Sequence, residues 1–120
     1  MEKELFIKAM EEAPDELDTN WVSSVIIENV IASAKHDDSV PLQRQLVIAV
    51  EELSELAKEL TKVLRGNVDR TAILEEYADV WIVLATLQCV FNFKTDELMR
   101  AEYVKLKRIE EKLRADGVYQ

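Results

Sequence analysis

The sequence has few of the residues that turn a chain. Its 120 residues include two Gly and two Pro, so reversals are scarce and long helices are favoured over a many-stranded sheet. A single Cys excludes an internal disulfide and fits a reducing, cytoplasmic setting. A single His leaves no histidine-based metal centre to build. No Gly-rich phosphate loop, nucleophile motif, repeat or low-complexity tract occurs. No basic stretch leads into an apolar one near Met1, so no secretory signal is expected. The longest uncharged run, Val80 to Phe93, is too short to span a bilayer, and no membrane partner is expected. Positive charge is also short: 15 Lys and Arg stand against 24 Asp and Glu, a formal net charge of −9. A nucleic-acid polymer would be repelled. A small phosphate ligand escorted by a divalent cation would not be, because the cation reverses the local field.

What the chain has instead is helical periodicity. Residues 2–12 read as a short helix with Leu5, Phe6, Ala9 and Met10 on one side, stopped by Ala13-Pro14. A second helix, Trp21 to Lys35, spaces Trp21, Val25, Ile26, Val30 and Ala34 at helical intervals. Trp21 reads as its packing anchor, with stacking on a nucleobase as the alternative. The polar break Lys35 to Ser39 follows, with His36 at a helix C-terminus favoured by the dipole. Ser39 and Pro41 begin a long third helix that Gly66 ends. Asp69 or Thr71 caps a fourth, which reaches about Asn92. Thr95 caps a fifth, with Asp96 and Glu97 in its first turn. Cys89 falls in the apolar fourth helix and reads as a plain core thiol. The fold class expected is all-α, a bundle of about five helices in one domain, residues 1–120. Residues 1–38 supply N-terminal helices, and 39–115 a motif-bearing core.

The acids of the third and fourth helices are placed unlike a solvated face. At about 100° per residue, Leu42, Leu46, Ala49, Val50, Leu53, Ala57, Leu60 and Leu64 form one stripe, expected to be the packed seam. Glu52 and Glu55 sit one turn apart beside it, with Ile48 and Leu56 on their side, while Arg44, Lys58 and Lys62 point away. Glu76 and Asp79, again one turn apart, open the run Val80 to Val90 and share a face with Val80, Val83 and Leu87. If the two helices pack antiparallel, the pairs face each other. Carboxylates about 5 Å apart repel by roughly 3 kcal/mol per pair at an effective dielectric near 20. Such a cluster needs shared protons or a cation. Hard oxygen donors suit Mg²⁺, with Mn²⁺ as the second choice. The plainer alternative is a solvated acidic face plus an acidic helix N-terminus.

These residues resemble a known pattern. Glu51-Glu52-Leu53-Ser54-Glu55-Leu56-Ala57, then Glu75-Glu76-Tyr77-Ala78-Asp79-Val80-Trp81-Ile82, is similar to the Glu-Glu-x-x-Glu and Glu-x-x-Asp helices of the MazG-like all-α nucleoside triphosphate pyrophosphohydrolases. The likeness runs loosely from Leu42 to Leu113. It implies a Mg²⁺-dependent release of nucleoside monophosphate and pyrophosphate, in a house-cleaning or nucleotide-pool role. Glu52, Glu55, Glu76 and Asp79 would hold the metal, and Glu51 or Glu75 would orient water or complete a second shell. Gln45, two turns before Glu52, matches a family position near substrate. Lys105, Arg108 and Lys112, one stripe of the last helix, are candidate triphosphate contacts, against a solvated charge face as the alternative. The family's asparagine a few residues beyond a lysine has no counterpart here, since no Asn follows Asn92. The likeness also implies a homodimer or homotetramer, and the apolar breadth of the fourth helix asks for such cover. Related dUTP- or dCTP-selective enzymes and phosphoribosyl-ATP pyrophosphatase share the helical pattern. The histidine–aspartate metal phosphohydrolases, despite His36-Asp37, and di-iron bundles with their Glu-x-x-His pairs fail on histidine inventory. The reading from a different class is a catalytically silent helical interaction or regulatory module.

Overall fold

The computed structural model describes residues 1–16, 24–29 and 41–119, and every regular element among them is a helix. They are α1 (Lys3–Glu12), α2 (residues 24–29), α3 (Pro41–Leu64), α4 (Arg70–Val90) and α5 (Thr95–Ala115). The all-α expectation holds. Trp21, His36 and the Ser39 cap lie outside the described residues. The chain divides into two compact units, Met1–Val90 and Phe91–Gln120.

Local chemistry sets the helix ends. Ala13 takes an extended conformation (φ −64°, ψ 148°) ahead of Pro14 and closes α1. Gly66, at φ 89°, ends α3. Its N–H donates to the Val63 carbonyl at 2.9 Å, and the Asn67 N–H to the Lys62 carbonyl at 2.9 Å. This is a Schellman stop, and the left-handed residue it needs is cheap only for glycine. Gly117 (φ 78°) ends α5 the same way, with the Val118 N–H on the Leu113 carbonyl at 2.9 Å. Asp69 caps α4, its Oδ1 accepting from the Ala72 N–H at 3.1 Å. That bond first, and Lys3 at 3.2 Å second, hold the Asp69 carboxyl below its ordinary range. The Lys3 pair also ties α1 to the start of α4. The N-cap of α5 is Lys94 rather than Thr95: the Leu98 N–H bonds the Lys94 carbonyl at 3.0 Å, which makes Thr95 the first helical residue.

In the first unit, α3 and α4 form a helical hairpin across a five-residue turn, 65–69, and α1 packs on α4 with Phe6 and Ile7 half-buried. Burial shows which face of α3 meets α4. Ala49 is 4% exposed, and Gln45, Ile48, Glu52, Leu56, Glu59 and Val63 are half-buried. The apolar stripe expected to be that seam is largely open: Leu46, Val50, Leu53, Leu60 and Leu64 are all exposed. The packed face is therefore turned by roughly 100°, one residue, from the stripe. Only Ala49 belongs to both descriptions. On α4, Val80 and Val83 are buried facing the hairpin, while Tyr77, Trp81, Ile82 and Leu84 are exposed. Tyr77 and Trp81 stack on each other there, ring centroids 6.1 Å apart. Cys89 is exposed, which corrects the core-thiol expectation: α4 is apolar on both sides, and Cys89 lies with Trp81 and Ile82 among its exposed residues. No helix among the described residues is long and apolar enough to cross a membrane.

In the second unit, α5 carries Asp96 and Glu97 in its first turn and Lys112 and Arg114 in its last, each sign opposing the dipole end it sits on. Glu110 takes Arg114 at 3.2 Å and Lys107 at 3.4 Å. None of its residues is buried.

Candidate metal centre

The hairpin register brings the acids together. Glu52 meets Glu76 and Asp79, and further back along α3 Gln45 and Ile48 share a cavity with Val83 and Thr86 further on along α4, as an antiparallel pair requires. Carboxylate oxygens of Glu52, Glu76 and Asp79 lie within 4.8 Å of one another, and all three residues are half-buried. Glu76 and Asp79 share a face because they are one turn apart. Glu52 meets them because α3 turns its half-buried face, not its leucine stripe, towards α4.

Their electrostatics are those of crowded acids. Glu52 is pushed above the usual carboxylate range, first by burial, then by the charge of Asp79 and a hydrogen bond shared with it, then by Glu51 and Glu55. Glu76 is raised as well, again by burial first and then by Asp79, Glu52, Glu55 and Glu75. Every neighbour named in those two shifts is another acid. Three hard, half-buried oxygen donors are a fitting donor set for Mg²⁺ or Mn²⁺.

The remaining expected site residues fall differently. Glu55 is outside the triad; its carboxylate is half exposed and accepts from Lys58 at 3.1 Å. Its charge still reaches Glu52 and Glu76. Glu51 is exposed. Glu75 lies 3.3 Å from the Met1 amine, towards α1. Gln45 lines a cavity that shares the α3–α4 groove with the triad. Lys105, Arg108 and Lys112 are exposed on α5, in the second unit.

The chain matches no family model, no curated protein and no solved structure. The site stands on its own geometry.

Two polar residues escaped the sequence reading. Asn29 and Thr86 line the same cavity as Gln45, with Ile26, Ile48 and Val83. Thr86 carried a signal, as one of two polar side chains, with Gln88, in the run Val80 to Val90. Asn29 had none. Glu59, outside the acidic motif, is also turned inward: its side chain is 15% exposed, on the α4-facing side of α3, and it holds Lys62 at 2.9 Å.

Proposed function

We propose that the protein is a Mg²⁺-dependent nucleoside triphosphate pyrophosphohydrolase, working as a homo-oligomer. The observation that carries this is the convergence of Glu52, Glu76 and Asp79 from two helices into one half-buried cluster of acids. Those three would hold the ion. Bound there, it would neutralise charge on the phosphates and lower the pKa of water. The residues themselves do the positioning. The α3–α4 register fixes the three carboxylates relative to one another, and half-burial limits how much water screens them. Glu51 and Glu55, on the exposed edge of the cluster, are placed to take a proton or to complete an outer shell as substrate closes the groove. The exposed apolar faces of α3 and α4 support the oligomer, since single chains rarely leave so much contiguous apolar helix surface uncovered.

The test is a panel of ribo- and deoxyribonucleoside triphosphates incubated with Mg²⁺ and scored for pyrophosphate. Release from at least one, abolished by EDTA, is the expected outcome. A panel with no release, on protein that binds no divalent ion by calorimetry, points to the silent interaction module instead.

A further inference from the structure

The break between α4 and α5 is made differently from the stops of α3 and α5. Those two helices end on Gly66 and Gly117, for which a positive φ carries no steric penalty. The α4 helix ends just before Asn92, the one non-glycine residue at positive φ among the described residues (φ 55°). Asparagine enters that left-handed region more readily than most residues with a Cβ, but still against its own preference. No Gly or Pro occurs between Gly66 and Gly117. From Arg70 to Ala115, therefore, no residue forbids a single continuous helix.

Small forces hold the bend. The rings of Phe91 and Phe93 stack, centroids 5.7 Å apart and planes at 21°. The Asn92 Oδ1 accepts from Lys94 Nζ at 3.0 Å. Residues 91–94 are all exposed. An aromatic pair shifts an equilibrium by about two- to tenfold, and a solvated hydrogen bond by less. The stack belongs to the bent form alone, because residues i and i+2 of a helix point about 200° apart. Since α5 buries none of its residues, no tightly packed core fixes its start. Straightening would relieve Asn92 and add helical hydrogen bonds, each a few-fold gain. It would also order residues of middling helix propensity, a loss of similar size. We propose that residues 91–94 are a two-state joint. In one state Asn92 is left-handed and the two phenylalanines stack. In the other, α4 runs straight into α5 as one helix, which redirects the apolar stripe Leu98, Leu106, Ile109 and Leu113. Neither state involves the acidic triad, so the joint stands or falls independently of the hydrolase.

The single thiol makes the test direct. Cys89 is exposed on α4, and Lys107→Cys or Glu111→Cys adds a second label site on the exposed surface of α5. In a continuous helix these pairs stand roughly 27 Å and 33 Å apart, at 1.5 Å per residue. Spin-labelled full chain is diluted in unlabelled protein, so that electron–electron resonance reads distances within one chain. The expected result is two populations for each pair, one of them at the continuous-helix distance. Asn92→Gly removes the left-handed penalty and should shrink that population several-fold. Phe91→Ala, Asn92→Ala and Phe93→Ala combined remove the stack and raise helix propensity, and should enlarge its ratio to the bent form about tenfold. Should the combined variant fail to fold by circular dichroism, Asn92→Ala alone replaces it, with about a threefold shift expected. A single distance for each pair in the parent overturns the joint, as does a ratio that the glycine and alanine variants leave unchanged.

Discussion

Both faces of the α3–α4 hairpin depart from an ordinary amphipathic pair: the packed face, with Ala49, Val80 and Val83 at its core, also holds acids, and the open face is largely apolar. Facing inward, towards each other, the helices carry Glu52, Glu76 and Asp79. Facing outward they carry Leu46, Val50 and Leu53 on α3, and Tyr77, Trp81 and Leu84 on α4. Charge on the inside and apolar surface on the outside both cost free energy in an isolated chain. The inner face loses part of that cost when a cation joins the carboxylates. The outer face loses it when a second apolar surface covers it. On the function proposed above, one arrangement would take two kinds of partner, an ion within and another copy without, and each can be tested separately.

The largest effect is expected from breaking the inner face. Asp79→Ala or Glu52→Ala should lower pyrophosphate release by more than the roughly hundredfold that loss of an outer-shell partner can cost. In EDTA the same variants should be as stable as the parent or more so, because each removes a charge that its neighbours repel. Glu55→Ala should cost less, about tenfold, since Glu55 lies outside the triad and already has Lys58. Glu102→Ala, exposed on α5, is the control and should keep activity. An active Asp79→Ala, or one strongly destabilised in EDTA, would show that the acid is a structural partner and not a ligand.

Breaking the outer face comes next. Val50→Glu and Trp81→Glu place charge where the side chains are 64% and 63% exposed, so the single-chain fold should lose no more than about 0.5 kcal/mol. The assembly should lose far more. Sedimentation is expected to show an oligomer for the parent and a 13.8 kDa monomer for each variant. A parent that already sediments as that monomer at micromolar concentration refutes the covered-face argument.

These faces also mark where the sequence was legible. The helices, the Gly66 stop and the Asp69 cap follow from local rules that no tertiary partner alters. Glu52, Glu76 and Asp79 could be paired because one-turn spacing and a short hairpin turn leave few other registers. The seam could not be read, because periodicity finds an apolar stripe without telling what it faces. Leu46, Val50 and Leu53 outweigh Ile48, Ala49 and Leu56 in apolar content, yet the second group packs within the chain. Cys89 was misplaced for the same reason. Asn29 was invisible, since its place on the cavity wall depends on which helices α2 lies against.

A smaller effect sharpens the inner face without any mutation. Mg²⁺ at about a hundred times its dissociation constant should stabilise the native chain by about 2.7 kcal/mol, a rise of several degrees in melting temperature that EDTA reverses. Glu76→Gln should lose most of that rise.

The smallest expected effect is a pH dependence whose sign is unusual for an acidic protein. Glu52 and Glu76 hold their protons more tightly in the native state than a carboxylate does in the unfolded chain, because burial and the neighbouring acids penalise their charge. Their contribution to stability is therefore complete below the ordinary carboxylate range and is lost as pH rises through their raised values. Asp69, held low by the Ala72 N–H and Lys3, and Glu110, held low by Arg114 and Lys107, act oppositely. Their contributions are complete above the ordinary range and lost only below it. Acidification from neutrality thus reaches Glu52 and Glu76 before it reaches those two pairs. In EDTA the melting temperature should rise as pH falls from neutrality towards the ordinary carboxylate range, and then decline in stronger acid. Saturating Mg²⁺ should flatten or reverse the upper part of that curve, because the ion competes with the protons for the same oxygens. Glu52→Gln should remove part of the slope in EDTA, since an amide has no proton to gain. Thermal melts between pH 4 and 7, with and without Mg²⁺, give the answer. A melting temperature in EDTA that falls steadily from pH 7 to pH 5 would mean that the three carboxylates are already compensated within the chain, and the inner face would need no ion.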